Sequence, residues 1–331
     1  MFYVMKTLIE SSNDKVLFSL APDNIKNITN EQSAIPRLAK NPELINEIER
    51  VLPKIPTNHR FYRDSATAMT FIKPESVHLI VTSPPYWTLK KYNDSEGQLG
   101  HISDYDAFLN ELNKVWKRCH KALVPGGRLI CVVGDVCLSR RKNQGRHTVV
   151  PLHASIQEQC RKIGFDNLSP IIWHKISNAS FEADRGSSFL GKPYEPNAVI
   201  KNDLEFILME RKPGGYRSPS FIKRLLSVIS EENHKLWFNQ IWTGLTGAST
   251  RNHPAPFPIE LAVRLIRMFS FVGDTVLDPF LGSGTTAIAA YLTGRNSSNV
   301  EIDEIYFDKA LSRFNEFTDT LESNHTIEVY R

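Results

Sequence analysis

The chain has 331 residues, of which 41% are hydrophobic and 23% charged, and its formal net charge is +4. This composition excludes disordered and collagen-like chains, and no apolar stretch approaches the roughly 18 residues that a membrane-spanning helix needs. Charged residues within the first 20 positions argue against a secretory signal. We therefore expect a cytoplasmic protein of one large or two smaller domains, without a metal site, whose four cysteines are structural.

Apolar runs that end in turn signals predict strands, which in chain order are 77–82, 128–133, 169–173, 204–209, 275–277 and 299–302. Their near-continuous hydrophobicity is typical of parallel strands that are buried on both faces. Helical periodicity predicts helices over 42–52, 105–123, 258–269 and 285–293. Asp104 is the expected N-cap of the second, and the Pro-Gly-Gly sequence at 125–127 is expected to end it. Strands that alternate with helices predict a doubly wound α/β sheet.

Two parts of the chain fall outside this alternation. Residues 1–55 contain the amphipathic stretch 42–52 but no recognisable chemistry. Residues 178–203 and 213–250 are rich in Gly, Pro, Ser and aromatic residues. Irregular segments of that length inside a domain are usually functional or disordered.

The first motif whose residues could take part in a reaction is SPPYW, in which the strand 77–82 is followed by Ser83, Pro84, Pro85 and Tyr86. Prolines fix the backbone and lack an N–H, so the turn is rigid and its carbonyl oxygens remain available as acceptors. The Ser83 hydroxyl and the Pro84 carbonyl could accept hydrogen bonds from an amine, while the Tyr86 ring stacks on a base. A proline turn that only ends a strand would explain these residues equally well if they stood alone.

A basic segment, SRRKNQGRH at 139–147, follows the second predicted strand. It contains Arg140, Arg141, Lys142 and Arg146. On its own this segment favours a solvated polar loop over a nucleic-acid contact, since a mildly basic chain is weak support for DNA binding.

The second motif is TVLDPFLGSGTTAIAA at 275–290, in which a strand ends at Asp278 and a helix begins near Thr285. Small residues at Gly282, Gly284 and Ala287 would let the backbone approach a ligand at the helix N-terminus. Glu301, at the end of the next strand, is placed to accept hydrogen bonds from ribose hydroxyls. The motif lacks the lysine of a Walker loop. A tight turn that needs glycine for backbone reasons alone is the simpler alternative.

Taken together, TSPPYW and DPFLGSGTT resemble the S-adenosylmethionine-dependent DNA amino-methyltransferases of the β group, over most of residues 56–315. The resemblance implies a mostly parallel, Rossmann-like methyltransferase sheet with a variable target-recognition insertion. It also implies S-adenosylmethionine as cofactor, double-stranded DNA as substrate and, within a restriction-modification system, a separate cognate endonuclease as partner. The implied domains are an N-terminal extension at 1–55, a catalytic half at 56–177, a variable region at 178–250 with one core strand at about 204–211, and a cofactor-binding half at 251–320.

The resemblance also implies roles for individual residues. The catalytic positions are Ser83, Pro84, Pro85 and Tyr86, and the base pocket includes Trp87 and Asp135. The cofactor-binding positions are Asp64, His253, Pro254, Ala255, Asp278, Pro279, Phe280, Gly282, Gly284, Thr285, Thr286 and Glu301. The DNA-binding positions are Lys90, Lys91, Arg140, Arg141, Lys142 and Arg146, so that the basic loop is now predicted to contact phosphates.

The residue at the first catalytic position favours one target base. Most adenine-N6 members have Asp or Asn there, whereas most cytosine-N4 members have Ser, as this chain does at Ser83. We therefore expect methylation of a flipped cytosine at N4 within a specific duplex site. Carbon-5 methylation is disfavoured because it needs a cysteine that follows a proline. The alternatives are adenine-N6 methylation, methylation of RNA or of a protein amide, a non-catalytic DNA-binding module and, most remotely, a nicotinamide-dependent oxidoreductase.

Overall fold

The computed structural model describes residues 11–88, 93, 97–141, 143–175, 202–247, 257–320 and 324–331. Six predicted site residues lie outside the described residues: Lys90, Lys91, Lys142, His253, Pro254 and Ala255. Most of the predicted irregular segment 178–203 lies outside them as well.

Eleven strands are present among the described residues. They are β1 (Thr57–Arg63), β2 (Val77–Thr82), β3 (Leu123–Val133), β4 (Val136–Leu138), β5 (Thr148–Val150), β6 (Asp166–His174), β7 (Leu204–Arg211), β8 (Ile241–Trp242), β9 (Thr275–Asp278), β10 (Asn296–Glu301) and β11 (His325–Tyr330). Nine of them form one sheet in the order β11-β1-β10-β9-β2-β3-β7-β6-β8, and β4 and β5 form a separate antiparallel pair.

The sheet is mostly parallel, which confirms the predicted doubly wound, Rossmann-like fold. From β11 to β3 every neighbouring pair is parallel, and β7 alone runs antiparallel, between β3 and β6. The carboxyl ends of six parallel strands therefore meet at one edge of the sheet, which we call the carboxyl edge. The opposite end of the same strands is the amino edge.

The described helices cover both faces of this sheet. They are α1 (Ser12–Leu20), α2 (Asp23–Lys26), α3 (Glu31–Ala39), α4 (Pro42–Val51), α5 (Tyr105–Ala122), α6 (Leu152–Ile163), α7 (Phe221–Leu226), α8 (Glu231–Trp237), α9 (Ile259–Phe269), α10 (Thr285–Leu292) and α11 (Glu304–Asp319). Helices α5 and α6 bury their apolar stripes on one face, whereas α9 packs on the other. Within the described ranges, no helix has both the length and the apolar character to cross a membrane.

The predicted helices begin and end within two residues of those observed, and Asp104 caps α5 by accepting a hydrogen bond from the Ala107 amide at 2.7 Å. The prediction for 125–127 was wrong, because β3 begins at Leu123 and contains Pro-Gly-Gly. Pairing continues through these residues: the Gly126 amide donates to the Lys212 carbonyl at 3.0 Å. Gly126 adopts a φ of +77°, and the β2–β3 register shifts nearby. A β-bulge therefore accommodates Pro-Gly-Gly within the strand.

The N-terminal extension forms a helical layer with its own apolar cluster. Side chains from α1 to α4 pack there with Ile222, Leu225 and Leu226 of α7. Ser220 donates a hydrogen bond to Asp14 at 2.7 Å, which ties this part of the 213–250 segment to the N-terminal helices. Residues 213–230 therefore lie near the amino edge, and the prediction that 178–250 recognises the target stays a prediction.

Candidate active site

A cleft opens at the carboxyl edge, where β1, β2, β9 and β10 end. It is lined by Ser65, Ala66, Thr67, Ser83, Pro85, Gly97, Gln98, Leu99, Pro279, Phe280, Gly282, Val300, Glu301, Ile302 and Tyr306. Six of these residues were predicted from the sequence, and they come from both motifs. The fold thus brings together two segments that are almost 200 residues apart in the chain.

The glycine turn after β9 forms one wall of the cleft. Gly282 and Gly284 have φ angles of +52° and +79°, and Gly284 is the N-cap of α10. A Cβ added at Gly284 would lie 3.3 Å from Ala310, so both backbone conformation and close packing favour glycine there. The Gly282 amide donates to Glu301 Oε2 at 2.9 Å, which locks the turn to the end of β10.

Glu301 is the acidic group best placed to meet a ligand. It lines the cleft and is 8% exposed, and its Oε1 accepts a hydrogen bond from the Asp303 amide at 3.0 Å. Burial raises the pKa of Glu301 to about 7, with smaller contributions from Asp303 and Asp278. Each carboxylate oxygen can accept more than one hydrogen bond, so both retain capacity for hydroxyl donors.

Three other predicted cofactor residues have inward-facing side chains instead. Asp278 is 1% exposed, and its Oδ1 accepts hydrogen bonds from Thr82 Oγ1 at 2.7 Å and from the Phe280 amide at 3.0 Å. Thr286 donates to the Val81 carbonyl at 3.3 Å, and Thr285 is buried against Ser283 and Arg313. These side chains join the end of β9 to the end of β2, so they shape the cleft without lining it.

Asp64 lies immediately outside the cleft. Its side chain is exposed and accepts a hydrogen bond from the Ser65 amide at 2.6 Å, and its own amide donates to the Glu301 carbonyl at 3.1 Å. The residues that follow it, 65–67, line the cleft. Sequence reasoning therefore found the correct strand end but missed its lining residues.

The SPPY turn is held by a short chain of hydroxyl groups. The Ser83 hydroxyl donates to the Tyr86 hydroxyl at 3.3 Å, which donates in turn to the Val132 carbonyl at 3.4 Å. Tyr86 is only 6% exposed, and a Cβ at Gly134 would lie 3.4 Å from its ring. The hydroxyl of Tyr86 thus has a positioning role that the sequence analysis did not assign.

Trp87 shows two signs of a strained, incompletely satisfied site. Its φ of +47° lies in the left-handed region, which a bulky residue rarely adopts. Its indole Nε1 is buried and finds no hydrogen-bond partner in the part of the chain that the structure describes. Strained backbone and orphaned donors are concentrated at functional sites. The ring packs edge-on against Tyr105, with centroids 5.0 Å apart.

Asp135 follows β3 at the same edge and has a partner that sequence reasoning missed. Its Oδ1 lies 2.6 Å from Nδ1 of His153, and the His153 ring stacks on Phe206 with centroids 3.8 Å apart. His153 comes from the start of α6 and belongs to no motif, so its position depends on the packing of α6 against β3 and β7.

The basic loop lies on the hairpin between β4 and β5, directly after Asp135. Arg140, Arg141 and Arg146 are all exposed there.

The remaining lining residues of the cleft share no motif; they are Gly97, Gln98, Leu99, Val300, Ile302 and Tyr306. Val300 and Ile302 belong to the predicted strand 299–302, so only these two could have been placed near the cleft from the sequence.

Comparisons with known proteins agree with this geometry. The sequence matches the N6/N4 DNA methylase family model over residues 77–312. It is 38% identical over 280 residues to the Type II methyltransferase M.MjaI of Methanocaldococcus jannaschii, covering 76% of this chain and 89% of that relative. It is 35% identical over 298 residues to the Type II methyltransferase M.MthZI of Methanothermobacter thermautotrophicus, covering 83% and 81%. The structure is similar to TTHA0409 of Thermus thermophilus complexed with S-adenosyl-L-methionine, with 48% identity, a TM-score of 0.67 and coverage of 82% and 98%.

Proposed function

We propose a target atom for this chain on the premise that it belongs to the N6/N4 DNA methylase family. It is an S-adenosylmethionine-dependent DNA methyltransferase with a Rossmann-like fold. The target that we propose is the exocyclic N4 of a cytosine, flipped out of a specific duplex site.

The observation that carries this proposal is the hydroxyl chain at Ser83. Because its proton is directed to Tyr86, and because no donor to Ser83 Oγ occurs among the described residues, its lone pairs can accept a hydrogen bond from a ligand. A neutral acceptor at the end of β2 suits the amine of cytosine, and the adjacent Pro84 carbonyl supplies a second acceptor. The lone pair of that amine is delocalised into the ring. Accepting its hydrogens returns electron density to the nitrogen at the moment of attack.

The cleft fits a cofactor that carries a ribose and a positive charge. Glu301 would accept hydrogen bonds from the ribose hydroxyls, and the glycine turn at 282–284 would let the backbone approach the ligand. S-adenosylmethionine supplies a methyl group bound to a cationic sulfur. Within the described residues, neither Glu301 nor Asp278 has a lysine or arginine salt-bridge partner, so the edge is electrostatically suited to a cation.

Direct methyl transfer requires a nucleophile, hydrogen-bond acceptors for the amine and a group that accepts one proton. N4 attacks the methyl carbon as the carbon–sulfur bond breaks, and the positive charge moves from sulfur to the base. The base then loses one proton to restore neutrality. We assign Asp135, held by His153, as the carboxylate that would accept this proton, and the indole N–H of Trp87, which has no partner among the described residues, would donate to the base or its backbone.

DNA would approach the carboxyl edge from the side of the basic loop. We assign phosphate contacts to Arg140, Arg141 and Arg146, since exposed arginines on a hairpin can follow a backbone without reading bases. Target recognition is assigned to the variable region 178–250, and a separate endonuclease would share the recognition site. The division into 1–55, 56–177, 178–250 and 251–320 remains part of this proposal.

The test is nucleoside mass spectrometry of DNA methylated in vitro. We expect N4-methylcytosine, and we expect its rate of formation to fall by about 10²- to 10³-fold with Ser83→Ala. Ser76→Ala is the matched control, because it removes a hydroxyl next to the opposite end of β2, where the Ser76 hydroxyl donates to the Lys73 carbonyl. N6-methyladenine as the sole product would overturn the cytosine assignment while leaving the family unchanged.

A further inference from the structure

A second cavity lies at the amino edge, away from the methyl-transfer site. Its volume is about 1030 Å³, and its lining includes seven lysine or arginine residues but one carboxylate, Glu231. The walls come from the start of β3, the end of β7 and the ends of α7 to α9. Such an excess of positive charge in a concave surface favours an anionic ligand.

The centre of this cavity holds a cross-strand pair of arginines. Arg128 and Arg211 are register partners on β3 and β7, and like charges directly opposite one another destabilise a sheet. On its other side Arg211 pairs with Asp166, with Nη2 and Oδ2 2.9 Å apart. Arg128 has no carboxylate partner among the described residues. These three cross-strand neighbours on β3, β7 and β6 therefore include two cations and one anion.

The position of Arg128 suggests why this unfavourable arrangement is retained. Its guanidinium lies over the Phe269 ring, 4.7 Å from the centroid, and its Nε is buried without a hydrogen-bond partner in the described ranges. The ring contact and the burial hold the side chain in place before any ligand arrives. A guanidinium fixed in this way presents the donor fork that matches phosphate geometry.

Most other cations of the cavity are already neutralised. Arg217 pairs with Asp274 at 2.7 Å, Arg267 with Glu49 at 2.6 Å, and Lys235 with Glu231 at 3.4 Å. These pairs leave Arg128, which is half-buried, without a carboxylate that compensates its charge among the described residues. Unfavourable like-charge arrangements of this kind are expected at functional sites.

We propose that this cavity binds a phosphate group, with Arg128 as its central contact. The phosphate could belong to a free anion or to the phosphodiester backbone of a nucleic acid. Five residues of β3 separate Arg128 from Val133 at the carboxyl edge, a distance of about 17 Å at roughly 3.3 Å per residue. The site is therefore distinct from the methyl-transfer cleft and does not depend on which base is methylated.

Calorimetric titration with inorganic phosphate, at an ionic strength held constant with chloride, tests the proposal. Arg128→Gln should weaken phosphate binding by at least about tenfold, which corresponds to about 1.4 kcal/mol. Lys235→Gln is the control, since Lys235 is an exposed rim residue already paired with Glu231, and should change binding by less than about threefold.

Chemical protection of the wild-type protein keeps the proposal testable if Arg128→Gln does not fold. Phenylglyoxal modifies arginines, and mass spectrometry reads each site separately. Phosphate should protect Arg128 but not Arg140. If a short duplex without a target site protects Arg128 at a lower concentration than phosphate, the ligand is a phosphodiester; protection by phosphate alone indicates a free anion. Phosphate binding no stronger than that of chloride, or unaltered in Arg128→Gln, would overturn the proposal.

Discussion

Two aspartates at opposite ends of β9 show how differently the two edges of the sheet are built. Asp274 and Asp278 are 4% and 1% exposed, so both carboxyls have lost nearly all contact with water. Burial raises the pKa of Asp278 to about 6, because its partners are neutral donors. Burial also acts to raise the pKa of Asp274, but the hydrogen bonds and charge of Arg217, with His78, lower it overall.

This difference extends from the aspartates to the ligands that each edge can accept. At the carboxyl edge, Asp278 and Glu301 have no basic salt-bridge partner within the described residues, which leaves their negative potential available to a cationic cofactor. At the amino edge, basic side chains outnumber carboxylates around the cavity, and Arg128 remains uncompensated. The same parallel strands therefore separate a site suited to cations from one suited to anions.

The largest expected effect comes from removing the two aspartate charges in turn. Asp274→Asn would leave Arg217, whose side chain is 23% exposed, without its anion and should lower the free energy of unfolding by about 2–3 kcal/mol. Asp278→Asn keeps the Oδ1 that accepts both hydrogen bonds and removes an uncompensated charge, so stability at pH 8 should be unchanged or higher. Urea denaturation at pH 8 measures both variants. Equal losses would refute the contrast between the edges.

Asp278 and Asp274 should make opposite contributions to the pH dependence of stability. The pKa of folded Asp278, about 6, exceeds the ordinary 3.8, so its stabilising contribution is complete below about 4 and is lost as pH rises through 6. The lowered pKa of Asp274 gives a contribution that is present above about 4 and is lost as pH falls further. Asp278→Asn should reduce the loss of stability between pH 4 and 6, leaving the share that comes from the raised pKa of Glu301, whereas Asp274→Asn should not reduce it.

A second prediction concerns the hydroxyl chain at the carboxyl edge. Base–aromatic stacking contributes roughly 1–3 kcal/mol, so Tyr86→Ala should lower the methylation rate by about 5- to 150-fold. Tyr86→Phe should have a smaller effect, since it keeps the ring and removes the hydroxyl that bonds Ser83 and Val132. If the hydroxyl acts through Ser83, Tyr86→Phe should cause no further loss in a Ser83→Ala background. Additive losses in single-turnover assays would assign the hydroxyl another role.

Glu301 should make cofactor affinity depend on pH. Ribose hydroxyls donate to the ionised carboxylate. Because the pKa of Glu301 is about 7, the carboxyl is protonated at lower pH, and binding must then release that proton. Affinity for S-adenosylmethionine, measured by calorimetry, should therefore fall below pH 7 by up to tenfold per pH unit. Glu301→Gln should bind about tenfold more weakly at pH 8 and with a flatter pH profile. A wild-type profile that is flat between pH 5.5 and 8 would contradict this role.

The smallest expected effect belongs to the exposed loop. Replacing Arg140 and Arg141 with glutamine should weaken binding to specific and unrelated DNA alike, and should reduce the slope of log affinity against log salt by about 1 per lost contact. Fluorescence anisotropy over a salt series measures the slope. A loss restricted to the specific site would mean that the loop reads bases. Replacing Lys235 at the amino edge is the matched control and should leave the slope unchanged.

Local sequence was sufficient for features that depend on local physics. The uninterrupted apolar run 77–82 forms β2 at those residues, and the glycines at 282 and 284 adopt the left-handed backbone of the predicted turn. The Pro-Gly-Gly at 125–127 misled the prediction because pairing with β7 continues through it. The short strands β4, β5 and β8 and the C-terminal β11 carried too little hydrophobic periodicity to predict.

The sequence by itself determined the sheet type, the two motifs and the cofactor family, because each depends on residues close together in the chain. Only the tertiary structure decided that Asp278 joins two strands, that the Tyr86 hydroxyl positions Ser83, that His153 holds Asp135, and that Arg128 faces Arg211. These relations arise where strand order and helix packing bring distant segments together. A carboxylate, a hydroxyl or a guanidinium takes its role from the neighbours that folding gives it.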